Sequence, residues 1–342
     1  MMKPIQWGRF SEQGEDVQAF IRQLKSERIS HAVLISGPEG VGKKTMATLA
    51  SETLLCSASD SRPCGICKAC LQAAALEHPD QIVIRKGIPL SPDIKEGRAS
   101  IPVEDIRELI RICSASSFEG GNRVALVFDA EALTPQAQNA FLKTLEEPPE
   151  NTFFLLVTVH PESLLPTIIS RCRTLRLKPW SDDYILDILR EEGIPEKQAK
   201  ETVLLAEGSI GKALQLVRDE DFWKCRDDII RAFFREKDRS SILLFSNEWK
   251  NRKGEAQVLF SILESCMHQM MTARFLGQES DFVRSLPPQW KRFAGEAEPD
   301  QFNALSDLIT ESRKEAQSSV NFQAVTEQLL LGFMGEGSKW LQ

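Results

Sequence analysis

The sequence predicts an α/β domain with a mostly parallel sheet covered by helices on both faces, followed by a wholly helical region. Five short apolar or β-branched runs alternate with helical or loop segments, at residues 32–36, 82–84, 124–128, 153–158 and 174–177. A glycine-rich turn directly follows the first run. After Lys178-Pro179 only helical patterns remain. Buried strands that alternate with helices are typical of parallel sheets, whose ligands bind at the C-terminal ends of the strands.

The composition limits the class of protein. The 342 residues, 42% of them hydrophobic, are enough for two or three domains. A formal net charge of −7 disfavours a protein that holds nucleic acid alone through a broad basic surface. The N-terminal residues have no apolar core, and no run of 18 apolar residues occurs. We therefore expect a cytoplasmic protein with no membrane partner.

The glycine-rich turn has the frame of a phosphate-binding loop. Helical spacing over residues 15–29 leads into the first strand, and residues 37–43 then read G-x-x-x-x-G-K. Gly37 and Gly42 allow backbone dihedrals that direct N–H groups at a phosphate, and Lys43 supplies a positive charge. A helix is expected from this loop to about Leu55. A chance glycine-rich turn between a strand and a helix is the alternative.

Two parts of the usual magnesium and water chemistry are missing from this frame. The residue after the loop lysine should carry a hydroxyl that binds Mg²⁺, but it is Lys44, and an ammonium cannot ligate a cation. Asp129 ends a strand where a carboxylate supports Mg²⁺, but Ala130 follows where a glutamate should polarise water. Strand alternation directs Glu131 elsewhere. The sequence predicts a nucleotide fold in which ATP binding is weak or absent.

Four cysteines indicate a structural metal site. Cys56, Cys64, Cys67 and Cys70 lie within 15 residues, in a module of about residues 56–70. Four thiolates complete a tetrahedral Zn²⁺ site without an open position for substrate. Two redox pairs are the alternative, and His78 is a candidate substitute ligand. The other four cysteines are isolated and are expected to be core thiols.

The remaining elements follow from caps and periodicity. Thr134 and Pro135 are suited to begin a helix that Pro148 and Pro149 end. Residues 181–217 predict a small helical unit, and amphipathic helices continue from about residue 221. We expect three domains, over residues 1–179, 180–220 and 221–342.

With these motifs, the chain resembles the bacterial clamp-loader subunits of the AAA+ class. The resemblance covers nearly the whole length and includes HAVLISGPEGVGK (31–43), HPD (78–80), NAFLKTLEEPPENTFFLLVT (139–158), LLPTIISRC (164–172) and AEGSIGKAL (206–214). It implies a RecA-like AAA+ domain with a zinc-binding insert, a three-helix lid and an all-α collar domain. It also implies that Thr158 is the polar sensor after the fourth strand.

The resemblance assigns Arg171, in Ser170-Arg171-Cys172, as an arginine finger for the ATP site of a neighbouring subunit. The alternative is that Arg171 is an ordinary surface arginine or part of a structural ion pair. A second sensor, an arginine in active subunits, falls on Gly211. The chain thus lacks three parts of its own hydrolytic site and keeps the arginine that the resemblance assigns to the ATP site of a neighbouring subunit.

The expected role is a non-hydrolysing, stator-like subunit in a hetero-oligomeric ring that loads the sliding clamp onto primed DNA. Its expected partners are an ATPase subunit of the gamma/tau type and a clamp-opening subunit of the delta type. One alternative is an autonomous AAA+ ATPase of the gamma/tau type, with Thr45 or water as the missing ligand. Another is a scaffold whose zinc module makes the main partner contact.

Overall fold

The computed structural model describes residues 6–26, 29–58, 62–90, 95–235, 239–318 and 320–339. The chain forms two compact units, Met1–Ile185 with Gly208–Lys212 and Leu186–Glu207 with Ala213–Gln342. The division into three domains stays a prediction. In the parts of the chain that the structure describes, no helix has the length and apolar character needed to span a membrane.

The first unit is built on a five-stranded parallel sheet. Its strands are β1 (Ala32–Ser36), β2 (Gln81–Ile84), β3 (Arg123–Val127), β4 (Thr152–Thr158) and β5 (Arg173–Arg176). Their order is β2-β3-β4-β1-β5, and every neighbouring pair is parallel. Each predicted strand lies within one residue of the observed bounds. The predicted α/β architecture is therefore confirmed.

The described helices follow the pattern of apolar residues. In chain order they are α1 (Glu15–Lys25), α2 (Lys43–Leu55), α3 (Lys68–Ala74), α4 (Val103–Ser114), α5 (Pro135–Glu146), α6 (Pro166–Ile169), α7 (Asp182–Glu191), α8 (Glu196–Ala206), α9 (Ile210–Leu216), α10 (Glu220–Ile230), α11 (Arg239–Trp249), α12 (Ala256–Leu276), α13 (Asp281–Ser285), α14 (Pro288–Glu296), α15 (Pro299–Gln317) and α16 (Phe322–Lys339). Helix α5 begins as predicted, because the Thr134 hydroxyl accepts a hydrogen bond from Ala137 N at 3.2 Å.

Helices cover both faces of the sheet. Helices α4, α5 and α6 pack on one face, against a core that includes Leu34, Val127 and Phe154. Helices α1 and α2 pack against the other face, where the alternate residues of the strands are also buried. The strands are thus buried on both sides, which explains their continuous apolar character.

A buried ion pair fixes the segment between α4 and β3. Asp80, of the HPD motif, is 1% exposed, and its Oδ1 accepts a hydrogen bond from Arg123 Nη2 at 3.3 Å. The same carboxylate accepts hydrogen bonds from the backbone N–H groups of Phe118 and Glu119. The Arg123 guanidinium also donates to four backbone carbonyls, those of Ile112, Cys113, Ala115 and Ser116. These bonds compensate both charges for the loss of water.

The second unit is entirely helical in its described residues. Its core is rich in aromatic side chains that meet edge to face, such as Phe234 with Trp290 at 5.1 Å and with Phe333 at 5.7 Å between ring centroids. Such contacts supply large apolar area and geometric specificity. The expectation of a helical C-terminal region is confirmed.

Candidate functional site

The phosphate loop connects β1 to α2 through glycines with left-handed backbone. Gly37, Gly40 and Gly42 have φ values of +146°, +72° and +97°. A Cβ atom at Gly37 would lie 2.5 Å from the Leu177 carbonyl oxygen, and one at Gly40 would lie 2.0 Å from Ser209 Oγ. The glycines are therefore required both by the turn and by close packing.

Lys43 is directed into the loop. Its side chain is buried, and Nζ donates a hydrogen bond to the Pro38 carbonyl oxygen at 2.5 Å. Burial lowers the pKa of the Lys43 ammonium below its ordinary value, while nearby carboxylates, Glu131 first, oppose that shift. The loop thus contains a cation held by a backbone oxygen of the loop itself.

Lys44 forms an ion pair at the place where the sequence predicts a metal ligand. Its Nζ lies 2.8 Å from Asp129 Oδ1, and it also lies 5.5 Å from the centroid of the Phe128 ring. The residues in this contact come from the first turn of α2 and from the end of β3. The carboxylate expected to support Mg²⁺ therefore neutralises an ammonium.

Glu131 corrects one expectation from the sequence. Asp129 has a φ of +55°, and residues Ala130–Ala132 form a 3₁₀ turn rather than a continuation of the strand. Thr158 Oγ1 consequently donates a hydrogen bond to Glu131 Oε2 at 2.7 Å. The negative charge of Glu131 also acts to raise the pKa of Lys43. The prediction that Glu131 points elsewhere is wrong, because a left-handed residue ends the strand alternation on which it was based.

An open cavity of about 800 Å³ adjoins these residues at the C-terminal ends of the strands. Its charged and titratable lining residues are Glu39, Lys86, Arg98, Asp129, Glu131 and His160. The structure thus brings Lys43, Asp129 and Thr158 to one edge of the sheet. Their roles in nucleotide binding stay predictions.

The segment that begins α9 packs directly on the loop. Gly211 N donates a hydrogen bond to the Gly40 carbonyl oxygen at 2.9 Å. A Cβ atom at Gly211 would lie 3.1 Å from both the Cα and the carbonyl oxygen of Gly40. An arginine at the second sensor position therefore requires a backbone shift, which gives a physical reason for the glycine.

Arg171 lies at the opposite edge of the sheet, between α6 and β5. Its Nε donates a hydrogen bond to Glu146 Oε1 at 2.6 Å, and Nη2 donates to the same oxygen. Nη1 donates to the Thr167 carbonyl oxygen at 2.9 Å. The guanidinium is therefore held in one orientation, while about a third of the Arg171 side chain remains exposed (32%).

The parallel register separates Arg171 from the phosphate loop of its own chain. Leu177, six residues after Arg171, donates its N–H to Ser36 directly before the loop. Arg173, the first residue of β5, pairs with Val33 at the start of β1, and at about 3.3 Å per residue the strand from Arg173 to Leu177 spans about 13 Å. Arg171 precedes this strand and therefore lies beyond its N-terminal end, at the edge of the sheet away from the loop. This separation is too long for an arginine side chain to span, and Arg171 cannot contact a phosphate in that loop.

The four cysteines of the insert come together after α2 and at the start of α3. Their Sγ atoms all lie within 4.8 Å of one another, and Cys64 Sγ lies 3.9 Å from Cys70 Sγ. A tetrahedral Zn²⁺ site with Zn–S bonds of about 2.3 Å requires sulfur separations of about 3.8 Å. Backbone N–H groups of Cys67 and Cys70 approach the sulfurs of Cys64 and Cys67 at 3.4 and 3.3 Å. The residues fit a structural zinc ion.

His78 has a different environment. Its Nδ1 accepts a hydrogen bond from Asp80 N at 3.1 Å, and its Nε2 faces Glu119 Oε2 at 3.5 Å. Among the described residues, the cluster able to hold a metal consists of the four cysteines. Part of the loop between Cys56 and Cys64, residues 59–61, lies outside the described residues.

Removal of zinc is expected to open this insert. We expect the purified chain to contain one zinc ion, measured by plasma mass spectrometry, and Cys64→Ser to lose it. Because coordination contributes most of the folding free energy of such small modules, loss of zinc should make residues 56–70 sensitive to protease. Cys113→Ala, which removes a core thiol outside the cluster, should keep the zinc. Full zinc content in Cys64→Ser would contradict the assignment.

Comparisons with known proteins agree with this architecture. A family model described as "DNA polymerase III, delta subunit" matches residues 12–181. The chain is 25% identical over 335 residues to DNA polymerase III subunit delta' of Bacillus subtilis, covering 96% of this chain and 98% of that protein. It is 30% identical over 260 residues to subunit delta' of Haemophilus influenzae, covering 75% of this chain and 76% of that protein.

A relative with a different subunit name matches over a smaller share of its length. The chain is 35% identical over 205 residues to DNA polymerase III subunit tau of Escherichia coli, which is 58% of this chain but 30% of tau. The matches to the delta' subunits of Bacillus subtilis and Haemophilus influenzae extend over three quarters or more of both proteins. Within the clamp-loader class, the motifs of the sequence predict a delta' subunit, and this prediction is confirmed: the chain belongs to the family of bacterial DNA polymerase III delta' subunits.

Proposed function

We propose that this chain is a non-hydrolysing, stator-like subunit of the replicative clamp loader and that Arg171 completes the ATP site of a neighbouring subunit. The observation that carries the proposal is the placement of Arg171. Its guanidinium is oriented and partly exposed, and it precedes the N-terminal end of β5, whereas the phosphate loop follows the C-terminal end of the neighbouring strand β1. An arginine at this edge of the sheet is too far from its own phosphate loop to act there, so we assign it to the nucleotide of a neighbouring subunit.

The chain's own pocket supports the other half of the proposal. Lys44 stands where a hydroxyl is needed, Ala130 stands where a glutamate is needed, and Gly211 stands where a sensor arginine is needed, in close contact with Gly40. Phosphoryl transfer depends on positioned cations and a positioned water, and each of these losses removes one of those parts. Slow or absent turnover in this pocket follows.

The proposed partners follow from the same role. Arg171 serves a subunit of the gamma/tau type, and a clamp-opening subunit of the delta type occupies the other side in a hetero-oligomeric ring. The helical residues 221–342 act as the collar that holds the ring, residues 180–220 form the lid, and residues 1–179 form the AAA+ domain. Through this complex, in the cytoplasm, the chain helps to place the sliding clamp on primed DNA.

An autonomous AAA+ ATPase is the second candidate, and Glu131 favours it. Its carboxylate accepts a hydrogen bond from Thr158, and its charge acts to raise the pKa of Lys43. A glutamate is therefore present in the pocket, although Ala130 occupies the usual position of that residue. That carboxylate is, however, engaged by the sensor hydroxyl, and Asp129 is paired with Lys44. Neither carboxylate is therefore arranged to hold Mg²⁺ or to activate water.

Turnover by the isolated chain separates the two candidates. We expect the purified protein, incubated with Mg²⁺ and ATP, to release phosphate at the rate of a protein-free blank, because no metal ligand replaces the missing hydroxyl. Lys43→Ala should leave this background unchanged. Phosphate release that is abolished by Lys43→Ala would support the autonomous ATPase instead.

A further inference from the structure

The fold implies a Mg²⁺ ion beside the phosphate loop, and the residues present do not fit one. A divalent cation at such a loop needs oxygen ligands, supplied by a hydroxyl after the loop lysine and by a carboxylate at the end of the neighbouring strand. Here Lys44 occupies the position of the hydroxyl ligand. The carboxylate ligand, Asp129, lies 2.8 Å from the Lys44 ammonium. One ligand is absent and the other is already neutralised.

We infer that the Lys44 ammonium takes the place of the divalent cation, so that this pocket excludes Mg²⁺ and gains no nucleotide affinity from it. The inference concerns the chain's own pocket and is independent of Arg171.

The contact between Lys44 and Asp129 joins elements far apart in sequence. Asp129 lies 85 residues after Lys44, at the end of β3, and its left-handed conformation turns the chain there. The Phe128 ring beneath Lys44 adds a second favourable contact for the same cation. Two contacts to the same segment, residues 128 and 129, therefore favour the ammonium at this position.

Charge gives the exclusion its physical basis. Lys43 and Lys44 are adjacent cations. The Lys44 Nζ atom lies 2.8 Å from Asp129 Oδ1, so a Mg²⁺ ion bound to that oxygen would be repelled by the ammonium next to it. Binding of Mg²⁺ would require the Lys44 side chain to move away from Asp129. Even then the ion would lack the hydroxyl ligand that normally follows the loop lysine. A phosphate that enters this loop meets two ammonium groups rather than one ammonium and one metal ion. The favoured ligand is thus a metal-free phosphate group.

The test restores the missing ligand. Isothermal calorimetry with ATP is performed with excess Mg²⁺ and with EDTA on the wild-type chain and on Lys44→Thr. In the wild type we expect Mg²⁺ to leave ATP affinity unchanged or to weaken it. Lys44→Thr should bind ATP at least tenfold more tightly with Mg²⁺ than with EDTA.

Matched variants separate a ligand effect from a charge effect. Lys44→Met keeps the length of the side chain and removes its charge without adding a ligand, so it should gain no Mg²⁺ dependence. Asp129→Asn should abolish the gain of Lys44→Thr. Binding of Mn²⁺ with ATP, followed by electron paramagnetic resonance, gives a second readout, and circular dichroism verifies folding. Lys44 is more than half exposed, so these substitutions should not disturb the core.

Two results would overturn the inference. The first is a wild-type chain whose ATP affinity rises with Mg²⁺. The second is a folded Lys44→Thr chain that gains no Mg²⁺-dependent binding by either method. Neither result bears on the role of Arg171, because that role is measured in the assembled complex and at another subunit's nucleotide.

Discussion

Arg171→Ala in a reconstituted clamp loader is expected to slow hydrolysis at the nucleotide site that faces this residue by about 10³-fold or more, the range known for arginine fingers. In the proposed role the guanidinium would neutralise charge that develops on the transferred phosphoryl oxygens, and an arginine does so best when its orientation is fixed in advance. Glu146 and the Thr167 carbonyl supply that orientation. Arg171→Lys should recover little, because an ammonium lacks the planar fork.

The measurement needs one active site. Substituting the phosphate-loop lysine of the other ATPase subunits restricts turnover to the site that faces Arg171, and single-turnover phosphate release is then followed with clamp and primed DNA. The matched control is Arg176→Ala, which removes an exposed arginine five residues further along the same segment. An equal rate in the Arg171→Ala and wild-type complexes would remove the role in trans.

Arg123→Ala is expected to lower the free energy of unfolding by about 3–5 kcal/mol, as when one partner of a buried ion pair is removed. The substitution leaves the Asp80 carboxylate, 1% exposed, with only backbone donors. It also removes the donor for four carbonyls between residues 112 and 116. Urea unfolding followed by circular dichroism measures the loss.

Arg111→Ala provides the control for this stability prediction. Arg111 lies on the neighbouring helix α4 and pairs with Glu108 on the surface, where its side chain is 71% exposed. Exposed pairs contribute about 0–1 kcal/mol, so this variant should unfold close to the wild type. If Arg123→Ala also unfolded within about 1 kcal/mol of the wild type, the buried pair would not hold the segment before β3 as described.

The sequence predicted the sheet well because its signals are local. A strand buried on both faces needs a continuous apolar run, and the runs at β1 to β5 match the observed strands to within one residue. The cap at Thr134 and the cysteine spacing are also local patterns with direct structural meaning. Each of these features could be predicted without knowledge of the rest of the fold.

The contacts that shape the candidate site could not be predicted in the same way. The pairs Lys44–Asp129 and Arg171–Glu146 join residues 85 and 25 positions apart, and no periodicity specifies such pairs. Glu131 was misjudged because one left-handed residue, Asp129, changes the direction of the chain. The motif showed that position 211 is a glycine, and only the structure shows that a side chain there would press on the backbone of the loop at Gly40.

The most direct measurement of the central claim is the position of Arg171 in the assembled complex. A structure of the loader trapped with a nucleotide transition-state analogue should place the Arg171 guanidinium within hydrogen-bonding distance of the transferred phosphoryl group held by the adjacent subunit, with the pocket of this chain free of Mg²⁺-ATP. A guanidinium remote from every phosphate, or a Mg²⁺-bound triphosphate in this chain's own loop, would contradict the account.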